Sequence, residues 1–124
     1  MTAVVVDASA LAAVVFQEPD GEAVSQRLDG ATVFAPHLLK FELTNTAWKK
    51  ARRRPSAAAP IFTALAIALD PRSGIVWREV DAVDVALVAH ATGLTAYDAS
   101  YLWLAGSLDA DLVTLDKQLA RTDP

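Results

Sequence analysis

Short apolar runs alternate with longer segments of helical character along this chain of 124 residues. The short runs are rich in β-branched residues, which is typical of buried strands, and we expect strands at residues 3–6, 32–35, 75–80 and 112–115. Strands that are separated by helices pair in parallel, with helices packed on both faces of the sheet. The sequence therefore predicts an α/β fold of three layers, built on a short parallel sheet of about four strands.

Capping residues and helix breakers mark the ends of the expected helices. Ser9, Ser56, Asp81 and Thr95 each stand where a side-chain oxygen could accept a hydrogen bond from the first turn of a helix. The expected helices cover residues 10–16, 22–28, 37–53, 57–69, 82–91 and 96–108, with a short helical segment from residue 117.

The composition is that of one folded domain spanning residues 1–124. Hydrophobic residues make up 53% of the chain, and the absence of cysteine excludes disulfides, thiolate metal sites and cysteine nucleophiles. Asp7 cuts the first apolar run too short for a signal peptide, and the longest apolar stretch, 57–69, is too short to cross a membrane. We therefore expect a soluble, cytoplasmic protein.

Four acidic residues stand where an alternating chain would bring them to one edge of the sheet. Asp7 and Asp116 directly follow expected strands, Asp98 opens a helix, and Glu42 interrupts the apolar side of another helix. Open α/β sheets bind ligands outside the carboxyl ends of their strands. Four carboxylates gathered there would repel one another unless a cation neutralised them, and Mg²⁺ and Mn²⁺ prefer such oxygen ligands. The pattern predicts a divalent-metal site.

Three of these acids also have a purely structural interpretation. Asp7 could end a strand and start a turn, Asp116 could cap the last helix, and Asp98 could complete a capping box with Thr95. Glu42 is harder to explain in this way, because no cation lies three or four residues from it along its helix.

Four segments of the chain occur together in the order and at the spacing of a known family. They are VVDASAL near the start, FELTN in the centre, and LTAYDASYLWLA and LVTLD towards the end. Through them the chain resembles the PIN-domain ribonucleases, and specifically the VapC-type toxins of bacterial toxin–antitoxin pairs. The resemblance spans nearly the whole chain and implies a PIN-like fold. Because many relatives carry a short final strand after the helix that follows the last acid, we expect that edge strand to be missing here.

The resemblance implies a metal-dependent endoribonuclease that hydrolyses RNA and is blocked by a cognate antitoxin. The implied catalytic and metal-binding residues, for Mg²⁺ or Mn²⁺, are Asp7, Glu42, Asp98 and Asp116. The residues that would support those carboxylates or bind the substrate are Ser9, Asn45 and Thr114.

Charge and apolar surface bear on the partners. The net charge of −4 argues against a general electrostatic grip on nucleic acid, but a basic cluster at Lys49, Lys50 and residues 52–54 could guide RNA phosphates. Alternatively, these cations could have no role beyond complementing the dipole of their helix.

The apolar segment 61–69 could bury its excess surface in a homodimer. The tryptophans are expected in the core or an interface rather than as platforms for bases; they are Trp48, Trp77 and Trp103.

Two other classes of function compete with the nuclease. A phosphatase of the haloacid-dehalogenase kind also places an aspartate after its first strand, but it needs a second aspartate two residues later, where this chain has Ser9. A catalytically silent PIN-like module that only binds proteins would be expected to lack one or more of the four acids, and all four are present.

Overall fold

Four strands and seven α-helices alternate along residues 2–123, the part of the chain that the computed structural model describes. The strands are β1 (Ala3–Val6), β2 (Thr32–Pro36), β3 (Val76–Arg78) and β4 (Asp111–Val113). The helices are α1 (Ala8–Val15), α2 (Gly21–Leu28), α3 (Leu38–Arg53), α4 (Ala58–Leu69), α5 (Ala82–Thr92), α6 (Ala96–Leu108) and α7 (Lys117–Thr122). The α/β class expected from the sequence is confirmed.

The strands form one parallel sheet in the order β3-β2-β1-β4. Strand β1 lies inside the sheet and pairs with β2 on one side and β4 on the other, with Val5 opposite both Phe34 and Leu112. Its three valines are at most 4% exposed. A strand covered on both faces favours a continuous apolar run over an alternating pattern, which explains the sequence of β1.

The direction of the crossovers reverses once in the sheet. The chain steps from β1 to β2 to β3 in one direction and then returns past β1 to β4. Because parallel crossovers are right-handed, helices α1 to α4 lie on one face and α5 and α6 lie on the other. The contacts between helices agree with this placement, since α1 packs on α2, α3 and α4, whereas α5 packs on α6. The reversal falls between β1 and β4, which makes the carboxyl ends of these two strands the favoured place for a ligand.

The core lies on both faces of β1. Helix α6 packs against β1, β2 and β4, and its side chains Leu104 and Ala105 are 2% exposed. On the other face, Leu39 and Leu43 of α3 are fully buried. No helix within residues 2–123 has both the length and the apolar character needed to cross a membrane.

Two helix caps differ from the sequence prediction. Asp7, not Ser9, is the N-cap of α1, and its Oδ1 accepts a hydrogen bond from the Ala10 amide at 2.9 Å. The extended backbone of Asp7 continues β1 directly into the cap, so the helix begins two residues earlier than expected. Ser56 lies in a 3-10 turn at Pro55–Ala57 that precedes α4 and makes no side-chain cap.

The two outer strands differ from the expected ones, because β3 is shorter at both ends and β4 begins and ends earlier. Pairing of β3 stops at Arg78 because its only neighbour, β2, ends opposite it at Pro36. Pairing of β4 begins at Asp111 and stops at Val113, opposite the last residue of β1. Thr114 therefore lies just beyond the sheet, beside Asp7, rather than within a strand.

Gly21 marks the closest approach of α1 and α2. A Cβ atom built at Gly21 would lie 2.3 Å from the carbonyl oxygen of Ala13, which is backbone and cannot move aside as a flexible side chain could. We expect Gly21→Ala to lower the free energy of unfolding by about 1–3 kcal/mol, because overpacking forces the helices apart. Urea denaturation of the purified variant measures this change.

Gly106 provides the matched control. It lies in α6, is exposed, and a Cβ atom there would meet no atom within 4 Å. Gly106→Ala should raise the free energy of unfolding by up to about 1 kcal/mol, because alanine favours the helix. Equal losses of stability in both variants would show that the close approach at Gly21 does not cause the destabilisation.

Candidate active site

The edge formed by the carboxyl ends of the strands brings the ends of β1 and β4 side by side. Val6 pairs with Val113, and the amide of Asp7 donates to the Val113 carbonyl at 3.2 Å. Asp7 and Thr114 are thus neighbours across the point where the crossovers reverse, although 107 positions separate them in the sequence.

Asp7 is a buried carboxylate whose two oxygens both accept hydrogen bonds. The residue is only 5% exposed. Its Oδ1 accepts from the Ala10 amide at 2.9 Å and from the Ser9 hydroxyl at 2.7 Å, and its Oδ2 accepts from the Thr114 hydroxyl. Burying a charge without partners would be costly, so these donors are what permits a carboxylate at this position.

The two hydroxyl groups also hold the segment after β4. The Leu115 amide donates to the Ser9 hydroxyl at 3.0 Å, and the Asp116 amide donates to the Thr114 hydroxyl at 3.0 Å. Ser9 and Thr114 therefore join the start of α1 to the turn that leads into α7. Both residues were expected beside the acids from the family resemblance, and the structure places them there.

Glu42 reaches this edge from α3 and meets α6. The Tyr101 hydroxyl donates to Glu42 Oε1, and Tyr101 is itself only 1% exposed. Burial, together with the negative charge of Glu42, raises the pKa of Tyr101, so this phenol keeps its proton and acts as the donor. Glu42 is consequently held in one orientation by a rigid aromatic ring.

Asp98 and Asp116 differ in how they are held. The Asp98 amide donates to the Thr95 hydroxyl at 3.1 Å, which confirms Thr95 as the cap of α6. The Asp98 carboxylate makes no hydrogen bond to any group in residues 2–123, so the expected capping box is only half formed. Asp116 is the cap of α7, and its Oδ1 accepts from the Leu119 amide at 2.9 Å.

The electrostatics show that the four acids act on one another. Burial is the main reason that the pKa of Glu42 is raised; the hydrogen bond from Tyr101 opposes it, and the charges of Asp98 and Asp7 add to it. Burial likewise raises the pKa of Asp98, with added repulsion from Asp116 and Asp7.

No cation offsets this repulsion. Within the described residues the two ion pairs are Lys50 with Glu18 and Arg72 with Asp70, and neither involves an acid of the site. The cluster is therefore an uncompensated concentration of negative charge.

The donor set suits a hard cation, but the side chains do not form a finished cage. No group of three or more His, Asp or Glu side chains in residues 2–123 is arranged so that it could hold a metal ion as it stands. The expected convergence is thus partial. Asp7 and Asp116 are fixed as helix caps, whereas the Asp98 carboxylate is free to turn.

Two residues complete the comparison with the sequence-based prediction. Asn45 is exposed on α3, and its side chain makes no hydrogen bond within the described chain. Tyr101 was not expected at the site. Its position three residues after Asp98 places both side chains on one side of α6, which is the signal that could have identified it.

Comparison with known proteins shows similarity along most of the chain. A family model described as PIN domain matches residues 4–123. Ribonuclease VapC3 of Pyrobaculum aerophilum is 36% identical over 127 aligned residues, which cover 97% of this chain and 94% of that protein. The crystal structure of PAE2754 from Pyrobaculum aerophilum superposes with a TM-score of 0.78 and 32% identity, covering 98% of this chain and 86% of that one.

We expect Asp98→Asn to raise the thermal stability of the metal-free protein at neutral pH. Folding raises the pKa of Asp98, so the folded protein binds this proton more tightly than the unfolded chain does. The stability associated with this group is therefore highest below the ordinary carboxyl pKa and falls as pH rises through the raised value. Melting temperatures of wild type and variant, measured in EDTA between pH 3.5 and about pH 7, should diverge as pH increases.

Asp84→Asn is the matched control for this measurement. Asp84 occupies the same position of α5 that Asp98 occupies in α6, since its amide donates to the cap Asp81 at 2.9 Å, and Asp84 is exposed. Replacing Asp84 by asparagine removes the same favourable interaction between an acid and a helix dipole, but it leaves the repulsion among the acids of the site unchanged. A gain in stability at Asp84 as large as that at Asp98 would refute the repulsion argument.

We expect Thr114→Val to lower the free energy of unfolding by about 1–3 kcal/mol, because Asp7 would lose one donor while staying buried. Thr114→Ser keeps the hydroxyl and should stay much closer to wild type. Urea denaturation at neutral pH compares the two. A Thr114→Val variant as stable as wild type would show that the hydroxyl of Thr114 contributes little to stability.

Proposed function

The chain belongs to the PIN-domain family, and we propose that it is a metal-dependent endoribonuclease, the toxin of a VapC-type toxin–antitoxin pair. The observation that carries the proposal is the cluster of four carboxylates at the reversal point of the sheet, with no basic partner among the described residues. Burial and then the charges of neighbouring acids raise the pKa of Glu42 and of Asp98. The named ribonuclease that matches along 97% of this chain supports RNA as the substrate.

We assign the metal to the four acids. Asp7 and Glu42 offer carboxylates that are held by hydrogen bonds, and the Asp98 carboxylate would turn towards them from the start of α6. Asp116 would complete the set from the start of α7. A bound Mg²⁺ or Mn²⁺ would supply an activated water and would stabilise the negative charge that develops on the phosphate.

The side chains of the protein then position the reacting groups. Ser9 and Thr114 fix both oxygens of Asp7, as groups behind metal ligands do. Tyr101 directs Glu42, which would orient the attacking water in line with the scissile bond. Attack on phosphorus breaks the bond to the 3′-oxygen, so the products carry a 5′-phosphate and a 3′-hydroxyl. Asn45, exposed one turn after Glu42, would contact the substrate.

The competing functions have less support. A haloacid-dehalogenase-type phosphatase needs an aspartate two positions after the first one, but here that position is Ser9, whose hydroxyl donates to Asp7 and accepts from the Leu115 amide. A silent protein-binding module would have no use for four clustered acids without a basic partner among the described residues.

We also propose a homodimer, a cognate antitoxin as partner, and a cytoplasmic location. Exposed apolar side chains on the outer helices could serve protein partners; on α4 they are Phe62, 44% exposed, and Ile67, 67% exposed.

We expect the purified protein to cleave single-stranded RNA in Mg²⁺ or Mn²⁺ and to be inactive in EDTA. Asp98→Asn and Asp7→Asn should each reduce the cleavage rate by roughly 100-fold or more, since both remove a charge from the metal site. Gel electrophoresis of end-labelled RNA gives the rate and the chemistry of the new ends.

Asp29→Asn is the control, because Asp29 is an exposed acid that precedes β2 at the opposite edge of the sheet. It should cleave like wild type. Cleavage that persists in EDTA, or products that carry a 2′,3′-cyclic phosphate, would disprove the proposed mechanism, since a cyclic product requires attack by the ribose hydroxyl instead of water.

A further inference from the structure

Three side chains that contact one another and the neighbouring cation Arg78 make up a basic–aromatic patch at the carboxyl ends of β2 and β3; the three are His37, Lys40 and Trp77. Arg78 follows Trp77 in β3, so its side chain leaves the other face of the sheet, where the guanidinium lies 5.3 Å from the centroid of the Phe34 ring. The rings of His37 and Trp77 are stacked, with centroids 6.4 Å apart and planes 22° from parallel. Lys40 Nζ lies 4.7 Å from the centroid of the Trp77 ring and 3.3 Å from His37 Nδ1. The patch is open to solvent, because His37 and Arg78 are exposed and Lys40 and Trp77 are half-buried.

The sheet register places the patch on the same edge as the acids. Val5 is opposite Phe34, so Asp7, two residues on, is level with Pro36, and Pro36 is opposite Arg78. Two strand spacings of about 4.8 Å put the backbone of Arg78 roughly 10 Å from that of Asp7. A single strand of RNA that passes over Asp7 can therefore reach the patch.

Phe41 follows Lys40 and precedes Glu42 in α3, so it is a sequence neighbour of both the patch and the acids. Phe41 is 73% exposed, the highest value among the large apolar side chains of the described chain that are exposed. An unpaired base can stack on such a ring.

The cations of the patch are better placed for this substrate than the basic cluster noted in the sequence. Lys50 of that cluster pairs with Glu18 at 2.8 Å. Arg53 is eleven residues beyond Glu42, roughly 16 Å further along α3. By contrast, neither Lys40 nor Arg78 forms an ion pair with a carboxylate in residues 2–123.

We propose that the basic–aromatic patch is a binding subsite for single-stranded RNA beside the scissile phosphate. Lys40 and Arg78 contact backbone phosphates, and His37, supported by Trp77, stacks on a base. Phosphates near four carboxylates are repelled, so cations beside the cluster are needed to hold the strand. The proposal rests on the proposed function only for the identity of the ligand.

The test measures the binding of a short fluorescent single-stranded RNA by anisotropy, in EDTA so that no cleavage occurs, over a series of KCl concentrations. Lys40→Gln combined with Arg78→Gln should weaken binding at least ten-fold and reduce the slope of log K against log[KCl] by about 1.4, since each lost phosphate contact contributes about 0.7. His37→Ala should weaken binding roughly five-fold or more without changing the slope, because stacking releases no counterions.

Two controls separate the patch from general charge and from misfolding. Arg27→Gln removes an exposed cation near the end of α2, at the opposite edge of the sheet, and should bind RNA like wild type. Lys40→Arg keeps the charge and should restore the salt slope. Melting temperatures of all variants identify any that fail to fold, and the exposed His37 and Arg78 variants remain informative if Lys40 variants are unstable.

The outcomes also separate this proposal from the nuclease proposal. If the double variant binds RNA with the affinity and the salt slope of the wild type, the patch proposal is wrong, whatever the cleavage assay shows. The patch proposal is also wrong if the wild-type protein does not bind RNA. Wild-type protein that binds through the patch but does not cleave supports the subsite and overturns the nuclease. If the wild-type protein cleaves RNA and the double variant binds RNA as tightly as the wild type, only the patch proposal is wrong.

Discussion

A buried carboxylate organises this molecule. Asp7 follows the central strand, caps the first helix, and accepts hydrogen bonds from the hydroxyl groups of Ser9 and Thr114, which lie 105 positions apart in the sequence. Without those donors a negative charge that is 5% exposed could not be accommodated. With them, the junction between β1, α1 and the turn after β4 becomes one hydrogen-bonded unit, and a negative group is fixed at the only point where the sheet reverses direction.

Glu42 and Asp98 have fewer hydrogen-bond donors in the described chain than Asp7 has. The structure gives Glu42 one strong donor, Tyr101, and gives the Asp98 carboxylate none among the described residues, while both carry raised pKa values. Folding therefore concentrates charge that the protein itself does not neutralise. Such an arrangement is expected of a site whose partner comes from solution, and functional sites commonly carry this kind of strain.

The sequence predicted the parts of the fold that depend on local pattern. The strand β1, the caps at Thr95 and Asp81, and the placement of Asp7 and Asp116 after strands follow from short stretches of residues that can be recognised one at a time. It did not predict contacts that depend on register. The bond between Tyr101 and Glu42 joins residues 59 positions apart. Likewise, Trp77 was expected in the core or an interface, and only the pairing of β3 with β2 reveals that Lys40 lies over its ring near the acids.

The order of segments along the chain has a consequence for synthesis. Strands β1, β2 and β3 and the helices on one face are complete by residue 78, whereas Asp98, Thr114 and Asp116 belong to the last third of the chain. A nascent polypeptide emerging from the ribosome therefore carries a partial sheet in which Asp7 still lacks one of its two hydroxyl donors. The acidic centre exists only after β4 has docked beside β1, so the proposed nuclease would stay inactive until that strand has been synthesised.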